Sequence, residues 1–175
     1  MEVREATAAD AEDVRRVHRE SIEGLGSAAY DPKQVAAWAQ GTESADYAAA
    51  IESDDLYFVV AKWDQGGDGS EDVLGFGSAH FESPEEYEAS VDAEVTGVYV
   101  HPTAAREGVG TELLVALERE ARDRGVETLG LSASRNALAF YDHYGYERVR
   151  RYDHEFSSDD PTGVTGEIVE MRREL

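Results

Sequence analysis

The stretch Val98-Tyr-Val-His-Pro-Thr-Ala-Ala-Arg-Glu-Gly-Val-Gly-Thr-Glu-Leu-Leu114 constrains this chain more than any other. An apolar strand runs into His101-Pro102, where a proline without an N–H stops the ladder. A turn of small residues follows, then a helix over Gly110–Arg124 with Leu113, Leu114, Leu117 and Ala121 on one face. Gly125 stands where a C-terminal glycine belongs. Gly108 and Gly110 permit close backbone approach. The first amides of the helix have no internal partner, and with the helix dipole they form an anion site suited to a pyrophosphate. Thr111 adds a hydroxyl and Arg106 a cation. A tight strand–helix turn with no ligand has the same composition, so the loop alone does not decide. A Walker loop is excluded because no lysine follows residue 62, and a dinucleotide fingerprint because Leu113 stands where a third small residue is needed.

The rest of the chain reads as short alternating elements. Val3–Ala6 predicts a strand. Thr7 and Asp10 offer N-caps for a helix through about Leu25, striped by Val14, Val17 and Ile22 and ended by Gly24-Leu-Gly26. Asp31-Pro32 starts a second helix, with Val35 and Trp38 facing inward, and Ala45–Glu52 adds a short third. Leu56–Ala61 and Val73–Phe81 predict a hairpin around a Gly/Asp turn at Asp64–Asp72. Ser83–Ser90 reads as acidic surface loop, and Ala93–Val100 and Val126–Ala133 as strands. Ala137–Tyr144 is a short helix stopped by Gly145, and Glu147–Phe156 and Glu167–Arg173 are closing strands around the polar loop Ser157–Gly166. The 175 residues, 41% of them apolar, predict a single mixed α/β domain of the α+β type over 1–175.

Charge narrows the partners. Sixteen basic residues against 38 acidic ones give −22, with the acids dispersed and only Lys33 and Lys62 as lysines. Such a surface repels nucleic acid. It resembles proteins of salt-loving cytoplasms, where salt screens self-repulsion. No apolar run approaches a membrane span, and Met1–Glu5 has no apolar core of a signal peptide, so a cytoplasmic protein without a membrane partner is expected. With no cysteine, thiolate ligands and nucleophiles are excluded, and the five histidines lack ligand spacing, so no metal is expected.

A second segment, Leu131-Ser-Ala-Ser-Arg-Asn-Ala-Leu-Ala-Phe-Tyr-Asp-His-Tyr-Gly-Tyr146, leaves a strand through a Ser/Asn turn and carries Phe140-Tyr141 on a short helix. The two segments in this order resemble the cofactor-binding motifs of the GNAT superfamily of acetyl-CoA-dependent N-acetyltransferases, over Glu94–Tyr146. The resemblance implies a mostly antiparallel sheet flanked by helices, with Ala93–Val100 and Val126–Ala133 splayed to admit acetyl-CoA. It places the pantetheine arm along Val98, Tyr99 and Val100, and the pyrophosphate on the amides of Arg106, Glu107, Gly108, Val109, Gly110 and Thr111. Asn136, Phe140 and Tyr141 would line the far side. Two positions depart from the family pattern: Ala105 stands where Gln or Arg is usual, with Arg106 one place later, and Ser134 stands where asparagine is frequent, with Asn136 two places later.

Amide formation needs a base for the amine and a proton for the leaving thiolate. By the resemblance, Glu94 is the candidate base and Tyr141 the candidate acid, with the Val100 N–H as the donor to the carbonyl oxygen. His80 and His101 are alternative bases. Trp38, Tyr30, Tyr57, Phe76 and Tyr87 are available to line an acceptor pocket and equally suited to the core. The acceptor implied is an amine of a small molecule or peptide, and a homodimer stays open. A non-catalytic acyl-CoA-binding sensor or interaction module is the rival reading.

Overall fold

A computed structural model describes residues 1–63, 72–156 and 161–175. In chain order the elements are β1 (Glu2–Glu5), α1 (Ala11–Leu25), α2 (Pro32–Ser44), α3 (Tyr47–Glu52), β2 (Tyr57–Lys62), β3 (Val73–His80), β4 (Ala93–Val100), α4 (Val109–Asp123), β5 (Thr128–Ser134), α5 (Leu138–His143), β6 (Glu147–Glu155) and β7 (Thr165–Glu174). The strands form one seven-stranded sheet in the order β1-β2-β3-β4-β5-β7-β6. Every neighbouring pair is antiparallel except β4 and β5. That parallel pair requires a crossover, and α4 supplies it.

The β4–β5 pairing is brief. Ala93, Glu94 and Val95 face Leu129, Gly130 and Leu131, and there the register ends. A β-bulge between Val95 and Gly97 re-aims β4, which stays with β3 as far as Val100. β5 follows β7 to Ser134. The sheet therefore opens between its two central strands, as expected for Ala93–Val100 and the strand beginning near Val126.

Helices cover both faces. Leu113, Leu114 and Leu117 of α4 pack with Val59, Leu129, Leu131 and Met171 on one. On the other, Val14 and Val17 of α1 meet Val60 and Phe76, while Ile22 and Val35 meet Tyr30, Phe156 and Ile168. Asp31 caps α2 by accepting from the Gln34 amide at 2.8 Å. Most boundaries fall within two residues of those expected. Thr7 and Asp10 bracket a 3₁₀ turn ahead of α1, and another 3₁₀ turn over Arg135–Ala137 leads into α5. The glycines ending α1 act by size: Gly26 keeps a right-handed φ of −64°, and a Cβ on Gly24 would meet Pro102 at 2.5 Å. The turn expected over 64–72 lies, but for Asp72, outside the described residues. So do residues 157–160 of the loop expected over 157–166. β7 begins at Thr165, two residues earlier than expected, because its pairing with β6 extends to Glu155↔Thr165.

Asp10, 4% exposed, pins β1 to the start of α1. Arg4 grips its carboxylate at 2.8 and 2.9 Å, and the Thr7 amide donates at 2.9 Å. The Arg4 hydrogen bonds outweigh burial and hold the Asp10 carboxyl down at about 2. A depressed pKa contributes stability above the unfolded value that is lost as pH falls through the folded one, here about 2 kcal/mol at neutral pH. Asp10→Asn should lower unfolding free energy in urea by about 2 kcal/mol at pH 7, with the gap closing as pH falls from 4 to 2.

Candidate active site

The split between β4 and β5 opens into two chambers. The larger, about 800 Å³, runs from Val98, Tyr99 and Val100 to the start of α4 and is closed on its far side by α5. The smaller, about 370 Å³, lies toward Glu94 and is walled by Tyr87, Ser132, Arg150 and Tyr152. Trp38, Val98, Tyr99, Ser134, Ala137 and Tyr141 line both, so the chambers are two halves of one channel through the sheet.

At the outer end of the larger chamber, α4 begins without a side-chain cap on its first amides. Gly108 precedes it at φ +87°, and a Cβ there would meet nothing within 4 Å. A Cβ on Gly110 would sit 3.4 Å from the Phe140 ring. Arg106 also takes a left-handed φ, +65°, although it is not glycine. Strain of this kind clusters at ligand-binding turns. The Thr111 and Tyr144 hydroxyls meet at 2.6 Å and tie α4 to α5 across the mouth. These open, uncapped amides beside two glycines fit an anion such as a pyrophosphate.

The backbone of β4 is turned toward the split at alternate residues. His101 donates its N–H to the Leu74 carbonyl on β3 at 2.7 Å. By alternation Tyr99 also bonds toward β3, and Val98 and Val100 present their N–H and C=O groups to the side where β5 has departed. Those groups form a free strand edge inside the channel.

Val98, Tyr99, Val100, Arg106, Gly108, Gly110, Thr111, Asn136, Phe140 and Tyr141 all line the larger chamber, as do Ala105 and Ser134. Two of the residues expected there do not. Glu107 is exposed outside it. Val109 is 1% exposed in the core, so only its amide faces the turn.

In the smaller chamber, Tyr87 donates its hydroxyl to Glu94 Oε1 at 2.8 Å. Burial raises the Glu94 pKa, and the Tyr87 hydrogen bond opposes that rise. Tyr141, 5% exposed, is likewise raised by burial, with Tyr99 adding to the effect; burial pushes Tyr99 up to about 12. The alternative bases stand outside the chamber lining, although His80 is the register partner of Glu94 on β3. His101 bonds Glu20 and the Thr103 hydroxyl, and His80 faces Glu82 at 3.7 Å; neither lines a chamber. Of the five aromatics considered for an acceptor pocket, Trp38 and Tyr87 line the smaller chamber; Tyr30 and Phe76 pack in the interior, and Tyr57 lies half-buried against the core. Sequence reasoning missed Glu86, Arg150, Tyr152 and His154. The period-two spacing of the last three was a readable signal of one strand face. Among the described residues no group of three or more His, Asp or Glu converges as metal ligands, and no helix is long and apolar enough to cross a membrane.

Comparison with known proteins places this geometry. Residues 22–146 match the acetyltransferase (GNAT) family. No curated protein matches the chain. A structure described as a GCN5-related N-acetyltransferase, aminotransferase class-II, from Rhodopseudomonas palustris is 27% identical, with 99% of this chain and 95% of that chain covered and a TM-score of 0.79. PaiA N-acetyltransferase from Thermoplasma acidophilum, solved with coenzyme A, is 19% identical over 99% of this chain and 98% of that one, with a TM-score of 0.70. Arabidopsis thaliana NAA60, solved with a bisubstrate analogue, is 16% identical over 99% and 98%, with a TM-score of 0.71. At those last two identities the likeness is one of fold.

The left-handed turn residue yields a test. Arg106→Gly should change unfolding free energy by less than about 0.5 kcal/mol, because relief of the φ offsets the added freedom of the unfolded chain. Arg106→Val should destabilise by about 1–2 kcal/mol, since a β-branched residue is poorly accommodated at that φ. Thermal melts of both variants without ligand measure the difference.

Proposed function

The chain belongs to the acetyltransferase (GNAT) family and is an acyltransferase, and from that premise we propose that it moves an acetyl group from acetyl-CoA to a primary amine of a small molecule or peptide. The observation that carries the reading is the single channel. One end meets the uncapped amides of α4, the other meets Glu94, and Tyr141 lines both halves. A diphosphate suits the first end and an amine the second. The Thermoplasma protein of like fold was solved with coenzyme A, which supports the same ligand here.

The residues then divide the work. The amides of Gly108–Thr111 and the Arg106 guanidinium hold the phosphates, and the edge of Val98 and Val100 aligns the pantetheine amides by strand-like hydrogen bonds. Glu94 takes a proton from the incoming ammonium so that the neutral nitrogen can form the C–N bond. The Val100 N–H is the donor for the carbonyl oxygen as it gains charge. The C–S bond breaks, Tyr141, kept protonated by its raised pKa, gives its proton to the sulfur, and the second proton that the new amide nitrogen sheds restores the tyrosine. Ammonium and acetyl-CoA thus yield amide, thiol and one released proton.

Glu94→Gln and Tyr141→Phe should each lower kcat/KM by about 10²–10³ in a thiol-release assay over an amine panel. Acetyl-CoA at 100 times its Kd should still stabilise both variants by about 2.7 kcal/mol. Thermal stabilisation without turnover would leave a binding module instead, whereas turnover indifferent to Tyr141→Phe would remove Tyr141 as the acid and leave the enzyme reading standing. With Glu94 as base, activity rises with pH along an acid limb above the usual glutamate range, because burial raises its pKa.

The dispersed −22 charge fits work in a salt-rich cytoplasm. Coenzyme A is a polyanion, so its affinity should increase as salt rises from very low levels and repulsion is screened. A titration in which added salt only weakens binding contradicts this.

A further inference from the structure

We infer that Glu170 is a positioning residue for acetyl transfer, acting as a clasp that holds residues 86–89 so that Tyr87 reaches Glu94. The inference rests on the reading of Glu94 as the base. Glu170 lies in the middle of β7 and is 1% exposed, an unusual place for a carboxylate. Its two oxygens are fully engaged by one segment and one arginine. The Glu88 amide donates to Oε1 at 2.9 Å, the Ala89 amide to Oε2 at 3.0 Å, and Arg150 Nε to Oε1 at 3.1 Å. Arg150 also donates to the Glu86 carbonyl at 2.9 Å. The clasp therefore grips the chain on both sides of Tyr87.

Tyr87 is the residue so presented. Its ring lies over Gly130 of β5, the register partner of Glu94, where a Cβ would meet the ring at 2.7 Å. From there its hydroxyl reaches Glu94 at 2.8 Å. Ser132 donates to the same hydroxyl at 3.3 Å, which leaves the Tyr87 hydrogen for the carboxylate. Other groups also face Glu94: His80 opposite it on β3, Glu86 from the clasped segment, and Arg150, Tyr152 and His154 across the chamber. Among the described residues, Tyr87 is the one hydrogen-bonded to it. A donor to the charged form keeps a buried carboxylate ionised, hence able to accept a proton.

The test compares kcat/KM of wild type and variant at each pH, so that titration of the amine cancels. Tyr87→Phe should lose roughly tenfold at pH 6 and less than about twofold at pH 9. Glu170→Gln, which turns a donor toward one of the clasped amides or Arg150, should show the same pH-dependent loss, about five- to tenfold at pH 6. Acetyl-CoA affinity should be unchanged, because neither residue lines the larger chamber. In the double variant the losses should not add, as befits one chain of contacts. Should Glu170→Gln fail to fold, Ala89→Pro decides: it deletes one clasped N–H and leaves the buried carboxylate in place. A Glu170→Gln or Ala89→Pro loss that is flat with pH, or additive with Tyr87→Phe, overturns the inference and leaves Glu170 a structural residue. If instead Glu94→Gln keeps full activity, the base assignment itself has failed.

Discussion

The whole molecule turns on a parallel pairing that stops after three residues. β4 and β5 share Ala93–Val95 and Leu129–Leu131 and then part, each keeping its outer neighbour. Backbone groups without partners are costly when buried, so an open edge at Val98 and Val100 persists only where water or a ligand can reach it. The bulge at Thr96 makes the parting possible. Thr96 and Ser78 share a 2.6 Å hydroxyl contact there, which holds β3 to β4 where the register slips. Beyond it the same strand serves two chemistries: Glu94 is on the paired side of the bulge and Val98–Val100 on the open side. One strand thereby spans both chambers of the channel.

The sequence made the strand–turn–helix unit legible because its signals are local. Pro102 stops a ladder, Gly108 precedes a helix, and leucines repeat at helical spacing. What it could not show depended on distant partners. Arg106 would not be chosen for a left-handed φ, a conformation that propensity reserves for glycine. Val109 looks like part of the phosphate turn, yet its side chain is taken by the core beneath Gly75. Glu170 sits in the run Ile168-Val-Glu-Met171, where period-two reasoning treats a lone acid as a solvent-facing position. Its burial follows from β7 entering between β5 and β6 and from a loop folded back from residues 86–89, neither of which leaves a local mark.

The arginine-rich, lysine-poor basic set also acquires an architectural meaning beside any adaptation to salt. Among the described residues three acids are nearly inaccessible, Asp10, Glu118 and Glu170, at 4%, 4% and 1% exposure. Each meets an arginine: Arg4 for Asp10, Arg173 at 2.7 Å for Glu118, and Arg150 for Glu170. A guanidinium is planar, stays charged, and donates in several directions at once, whereas an ammonium is compact and strongly hydrated. Arg150 uses this geometry fully, bonding the Glu170 carboxylate and the Glu86 carbonyl while stacking 4.9 Å over the Tyr152 ring. Lysine in its place would keep the charge but not the fork.

Replacing a whole buried ion pair of this kind by apolar packing would change stability little, because desolvation offsets most of the attraction, whereas removing one partner strands the other and is costly. Their value here is placement. Asp10 sets the angle at which β1 hands over to α1, and Glu118 joins α4 to β7 and, through the Tyr146 hydroxyl at 3.0 Å, to the chain just after α5. Glu170 extends the same device to a segment outside regular structure. Residues 86–89 have no ladder or helix to hold them, yet Tyr87 must reach its partner to within a hydrogen bond. A carboxylate rooted in a strand paired on both sides transfers the rigidity of the sheet to that segment. Among the described acids, the one best hidden from solvent is thus the one inferred to place the partner of the candidate base.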